Sequence, residues 1–244
     1  MVEDKTRLKF LDEITREQVL LWNEKIQTQL SKAVIEQDLA GSCFSRICAV
    51  DVAYQDLEDT TISATCAIVT DETGFELASE TLVRSSPRFP YIPTHFSLRE
   101  LPCILEVLPK VDSFGLLLLD CNGRLHIRRF GMACHAGICV GKPTIGVAKS
   151  LLCGEVLSSP LEGFFESHRV LAYPVSLQGE IVGAKLPLTQ NDEKSKQKAV
   201  YVSVGNLISL PTAVLVVSRL IQGESVIPLK LAHERAIQTL QEVE

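Results

Sequence analysis

The chain has 244 residues, 46% of them hydrophobic and 22% charged, which is the composition of an ordinary globular protein with enough length for one large core and excludes a disordered chain. A formal charge of -6 excludes bulk attraction to a polyanion, so binding of nucleic acid would have to rest on a local basic stripe and on metal ions. The eight cysteines form no C-x-x-C pair and are expected as reduced, mostly buried thiols, while the charged N-terminus and the lack of a long apolar run argue for a soluble, cytoplasmic protein without a membrane span.

Residues 15 to 38 carry Val19, Leu20, Trp22, Ile26, Leu30, Val34 and Ile35 at helical spacing and predict one amphipathic helix. FSRICAVDVAY reads as a strand covered on both faces, and TISATCAIVTD with GFELASETLV as a meander that turns at Asp71 to Gly74. The proline-rich SPRFPYIP is a loop feeding a helix in HFSLRELPCILEVLPKV. FGLLLLDC and KPTIGVAKS are short apolar runs of the central-strand kind. RVLAYPVSL, GEIVGAKLPL and AVYVSVG continue as strands, interrupted by an exposed hairpin loop in TQNDEKSKQK. SLPTAVLVVSRLIQG predicts a closing helix ending at Gly223, followed by a short basic and apolar tail. The pattern implies an α/β protein with a mixed sheet flanked by helices, expected to form a single domain over residues 1–244.

Asp51 and Asp120 each end a buried apolar strand, where a carboxylate reaches the rim of a sheet. Two carboxylates brought together repel unless a divalent cation compensates them, so a metal between the two is the natural resolution. A strand-terminal aspartate is more often a turn or cap residue than a ligand, and the pair alone decides little. RLHIRR with Lys142 and Lys149 offers the local positive charge that the acidic chain requires.

FPYIP, LRELP, LLLLDCNGRLHIRRFGMACHAGICVGKPTIGVAKSLLCG and YVSVGNLISL occur in this order across nearly the whole chain, and in that order they resemble the endonuclease V family. The resemblance implies an RNase H-like fold and a metal-dependent endonuclease that cleaves the second phosphodiester bond 3′ of inosine or deoxyinosine, in DNA or single-stranded RNA, for repair or for processing of inosine-containing RNA. It implies Mg2+ as cofactor, with Mn2+ as substitute. Asp51 and Asp120 match the family's metal-binding aspartates, Glu100 its third acidic residue and Lys149 its active-site lysine. Pro90, Tyr91, Ile92 and Pro93 match the wedge that parts the strands beside the lesion. Gly123 and His126 are further candidates for contact with nucleic acid: Gly123, just beyond Asp120, would let backbone approach a base, and His126 stands within the matching motif. A monomer is expected.

The chain departs from the family at three places. Cys121 stands where most relatives have glycine, Asn206 where many have a histidine contributing to the active site, and GAKLPLT where relatives show an arginine at a strand end. Asn206 is retained as a possible supporting residue, since its amide still offers an oxygen to a metal or water. The alternative reading is a catalytically weak or silent binder of deaminated or branched nucleic acid.

Overall fold

A computed structural model describes residues 2–41, 44–57, 60–87, 89–160, 170–188 and 198–242, with side chains from residue 15 onward. The expected hairpin loop falls almost wholly outside the described residues.

The helix α1 spans Val2–Leu30, longer toward the N-terminus and shorter toward the C-terminus than its periodicity suggests. Its apolar stripe is not the buried one. Trp22 is 72% exposed and Val19 and Ile26 are exposed too, while Asn23 and Gln27, one turn apart, are buried. These amides are bonded: Asn23 Nδ2 donates to His95 Nδ1 at 2.9 Å and Gln27 Nε2 to the Thr94 carbonyl at 3.2 Å. Specific hydrogen bonds to a loop thus decide which face docks.

The next three strands are β1 (Arg46–Asp56), β2 (Thr61–Asp71) and β3 (Leu77–Ser85), an antiparallel meander as expected, with Gly74 in the left-handed region at φ +80° in the turn. α2 (Ser97–Val107) follows, then β4 (Leu116–Leu119), α3 (Met132–Val140) and β5 (Thr144–Ala148). β6 (Glu155–Val156), β7 (Tyr173–Leu177), β8 (Glu180–Pro187) and β9 (Ala199–Asn206) come next. α4 (Leu210–Arg219), the small hairpin β10 (Ile221–Gln222) and β11 (Ser225–Val226), and α5 (Ile227–Gln241) close the described chain. The region after Gly223 is therefore no tail. Pro228 sits in the first turn of α5, where its missing N–H is harmless, and Ala232, Ala236 and Leu240 pack at helical spacing on β1 and β2.

Nine strands form one sheet among the described residues, in the order β3-β2-β1-β4-β5-β9-β8-β7-β6. β1, β4 and β5 are parallel and all other neighbours antiparallel. Period-two alternation assigns the faces. Ile47, Ala49, Leu116 and Leu118 join Val214, Val217 and Leu229 of α4 and α5 in one core, and Cys48, Val50, Leu117 and Leu119 join Leu101, Ile104 and Ala133 of α2 and α3 in the other. α3 escapes the periodicity argument because Ala133, Ala136 and Gly137 bury a small-residue face rather than a large apolar one. Seven cysteines are described, all free and five of them buried. Among the described residues no helix is long and apolar enough to cross a membrane.

Candidate active site

The parallel centre of the sheet brings the two aspartates together. Val50 pairs with Leu119 in the β1–β4 ladder, so Asp51 and Asp120 are the next residues of adjacent strands, which run about 4.8 Å apart. Asp51 lies midway along β1, paired with Cys66 of β2; what ends there is the pairing with β4, not the strand itself. The carboxyl edge of parallel strands is where open α/β sheets bind ligands. Lys149, just past β5, donates to Asp120 Oδ2 at 2.5 Å. Glu100 of α2 is 6% exposed and completes a cluster of three acids with one lysine.

Electrostatics record the crowding. Burial first, and the charge of Asp120 next, hold the Asp51 carboxyl above the ordinary range, partly offset by His233. Glu100 is pushed well above it by burial and then by Asp51. The Tyr54 hydroxyl faces Glu100 without a hydrogen bond of normal geometry, and Arg99 stacks 4.1 Å over the Tyr54 ring.

A divalent cation fits this donor set. Hard carboxylate oxygens in mutual repulsion suit Mg2+ or Mn2+, and among the described residues no three His, Cys, Asp or Glu side chains enclose an ion by themselves. Waters and phosphate oxygens would complete the shell, as Mg2+ commonly requires.

His233 of α5 was not singled out from the sequence. Its Nδ1–H donates to Asp51 Oδ2 at 2.6 Å. Recognising α5 from the spacing of Leu229, Ala232, Ala236 and Leu240 would have exposed it as the histidine on a helix crossing β1. Asn206 belongs elsewhere: it pairs with Thr144 at the start of β5, opposite the end that leads to Lys149. Its Oδ1 accepts from Ile35 N at 3.0 Å and its Nδ2 donates to the Gly137 carbonyl at 3.3 Å, so it is a buried brace away from the acids.

Beside Asp120 a cavity of about 230 Å³ opens, lined by Tyr91, Asn122, His126, Met132 and Lys149 among others. Tyr91 is 62% exposed and meets Phe96 edge-on at 5.6 Å, and Pro90 and Pro93 are exposed with Ile92 half-buried. Thr94 follows with φ +66°, fixed by Arg128, which donates to its carbonyl at 2.9 Å and its hydroxyl at 3.0 Å. His126 has both ring nitrogens engaged: Nε2–H donates to the Thr94 carbonyl at 3.1 Å and Nδ1 accepts from Arg128 N at 3.3 Å. Burial, then the Arg128 charge, lower its pKa to about 4, so it is a neutral brace.

Gly123 is not among the residues lining that cavity. A side chain there would meet the Val204 carbonyl at 2.1 Å, so the missing Cβ serves close packing against β9 rather than approach to a base. Gly146 works the same way from below, with the Cys121 carbonyl 2.6 Å and the Gly123 nitrogen 2.7 Å from where its Cβ would stand. Cys121 is not among the residues with positive φ, so a cysteine is accommodated without backbone strain.

The expected basic stripe is largely spent on structure. Arg124 pairs with Glu36, Arg128 with Glu24 and Arg129 with Glu180, and Lys142 donates to the Phe114 carbonyl at 2.9 Å.

A mixed sheet whose parallel centre presents acids at its carboxyl edge defines an RNase H-like nuclease. A family model of endonuclease V matches residues 28–234, and the chain belongs to the endonuclease V family, whose activity is the hydrolysis of nucleic acid near inosine. It is 36% identical over 212 residues to the endonuclease V of Thermofilum pendens, a match covering 86% of this chain and 84% of that protein. The crystal structure of endonuclease V from Streptomyces avermitilis superposes with a TM-score of 0.77 at 29% identity, covering 90% and 92% of the two chains. Endonuclease V from Ciona intestinalis, in complex with a 24mer DNA containing an inosine followed by a ribo-adenosine, shares the fold at a TM-score of 0.75 and 24% identity, over 93% of this chain and 100% of that one.

Proposed function

We propose that this chain is an active Mg2+-dependent endonuclease that cuts DNA or single-stranded RNA at the second phosphodiester bond 3′ of inosine. The observation that carries this reading is the register of Asp51 and Asp120, one step past a shared parallel ladder with Glu100 beside them. Asp51 and Asp120 would hold the cation. A bound Mg2+ or Mn2+ supplies Lewis acidity, polarising a phosphate oxygen and making water acidic enough to attack near neutral pH.

The protein's own groups do the rest. Lys149, bonded to Asp120 Oδ2, offsets charge on the phosphate. His233 orients Asp51 through its Nδ1–H. The 230 Å³ cavity next to Asp120 receives the base, and Tyr91, on a loop stiffened by Pro90 and Pro93, stacks where the base leaves its neighbours.

The reading as a silent binder drew on Cys121, Asn206 and the lost arginine. Cys121 is unstrained and Asn206 lies away from the acids, which removes two of those grounds. The deciding experiment incubates labelled single-stranded inosine DNA and RNA with the protein and Mg2+. A nick two bonds 3′ of inosine, absent with EDTA and with D51A, is expected. Wild type and D51A behaving alike would overturn the reading.

A further inference from the structure

An acidic chain that binds a polyanion needs a cationic surface near its site, and the arginines of RLHIRR are occupied in ion pairs. The lysines lie elsewhere. A second cavity, of about 650 Å³, opens between β8, β9 and α5. It shares Asp120, Lys149 and Ser150 with the smaller cavity, so Asp120 and Lys149 stand between the two. Beyond Lys149 it is lined by three more lysines, one each from β8, from the approach to β9, and from α5: Lys185, Lys198 and Lys230.

The three are differently placed. Lys198 is ion-paired with Glu224 and Lys230 approaches Glu234 at 3.8 Å, both exposed pairs of the weak surface kind, and Lys185 makes no ion pair among the described residues. Lys185 is directly opposite Tyr201 in the β8–β9 ladder, so the two share the face opposite Val200, where Tyr201 packs near Leu151, and both line the groove. Val147, Val200 and Leu229 supply its apolar lining on the α5 side, with Lys230. An apolar surface with an aromatic ring and flanking ammonium groups is the combination that holds single strands without reading sequence: bases stack and phosphates pair.

Direction follows from the proposed function, on which this inference rests. If the target base occupies the smaller cavity and the cut lies 3′ of it, the strand passes the aspartates and leaves on the other side. We propose that the larger groove is the binding subsite for the nucleotides 3′ of the scissile phosphate, with Lys185 and Lys230 contacting phosphates and Tyr201 stacking on a base. Its occupant is the 3′ arm of the substrate strand.

Photo-crosslinking tests the groove without cleavage. Inosine oligonucleotides carrying 5-iodouracil two nucleotides 3′ of the cut, or on the 5′ side of inosine, are irradiated with the full-length protein in EDTA and mapped by mass spectrometry. The 3′ probe is expected on peptides containing Tyr201 or Lys230 and the 5′ probe is not. Mapping of the 3′ probe to the Tyr91 loop or to β3 overturns the proposal. This assay reads the groove even if the protein cuts nothing, an outcome that would sink the nuclease reading alone.

Kinetics give a second reading. In K185Q/K230Q, which keeps most of each side-chain stem, KM for a substrate extending several nucleotides past the cut is expected to rise about tenfold with kcat unchanged. The slope of log affinity against log salt should shrink by about 1.4, the value for two contacts to a single strand. A substrate ending one nucleotide past the cut should be handled alike by variant and wild type. Equal losses on both substrates would show general electrostatics, not a 3′ subsite, and overturn the assignment.

Discussion

His233 Nδ1 lies 2.6 Å from Asp51 Oδ2, a contact that joins α5 to β1 across 182 positions of sequence. A histidine that fixes a ligating carboxylate acts on the metal through that ligand, and loss of such partners costs about 10- to 100-fold in metal affinity or activity. H233A should therefore raise the Mg2+ concentration for half-maximal cleavage by that factor, with much of kcat recovered at saturating metal. An unchanged Mg2+ dependence would show that His233 only packs.

The acid cluster makes the metal-free protein unstable in a pH-dependent way. The folded Asp51 carboxyl holds its proton above the unfolded value of 3.8, so the folded state binds more protons and stability falls as pH rises through that window. Removing the charge removes the penalty. Without metal at pH 7, D51N should melt above wild type, and the gap should narrow as the pH falls toward 3.8. Mg2+ should raise the Tm of wild type but not of D51N, a readout independent of cleavage.

Much of this site was legible from the sequence, and the parts that were not share a cause. Runs such as RICAVD and LLLLD announce buried strands with a carboxylate following, and register then makes Asp51 and Asp120 neighbours. Periodicity assigns faces within an element but does not name the partner. The amides of α1 are buried because Thr94 and His95 await them, and the arginines of RLHIRR are neutralised by Glu24, Glu36 and Glu180 from distant segments. Asn206 looked functional from its motif and is satisfied by Ile35 and Gly137, while His233 sat in what read as a tail.

Gly146 carries the loop that follows Asp120. A Cβ at this position would press on the Cys121 carbonyl at 2.6 Å and the Gly123 nitrogen at 2.7 Å, both backbone atoms that cannot rotate aside. G146A should cost about 1–3 kcal/mol, the usual penalty of overpacking, in urea unfolding. Because the displaced backbone adjoins Asp120, activity should fall further than stability explains. Full activity in a folded G146A would show that the loop has slack.

Arg128 is the clamp of the Tyr91 loop. Its guanidinium spans Gln27 and Glu24 of α1 and both oxygens of Thr94, whose φ of +66° few side chains tolerate unaided. R128A should release the loop without touching the acids. Misplacement of about an ångström costs about 100-fold where positioning matters, so duplex inosine substrates that must be parted should be cut up to about 100-fold more slowly. Single-stranded substrates, which need no parting, should be cut at nearly the wild-type rate. Equal loss on both would remove Arg128 from the wedge.

His126 sets an acid limit on the same loop. Its pKa falls from 6.5 unfolded to about 4 folded, because burial and the Arg128 charge disfavour the imidazolium. The unfolded chain then binds more protons between those values, so stability is full above pH 6.5 and is lost progressively as pH falls toward 4. The loss approaches about 3 kcal/mol, from 1.36 kcal/mol per unit of pKa. In urea titrations wild type should lose more stability than H126Q between pH 6.5 and 4.5, since glutamine keeps hydrogen-bonding capacity but has no proton to take up. The subtraction matters because Asp51 and Glu100, held above their ordinary range, pull the other way in both proteins. Parallel pH profiles for the two would mean that protonation of His126 is tolerated in the fold.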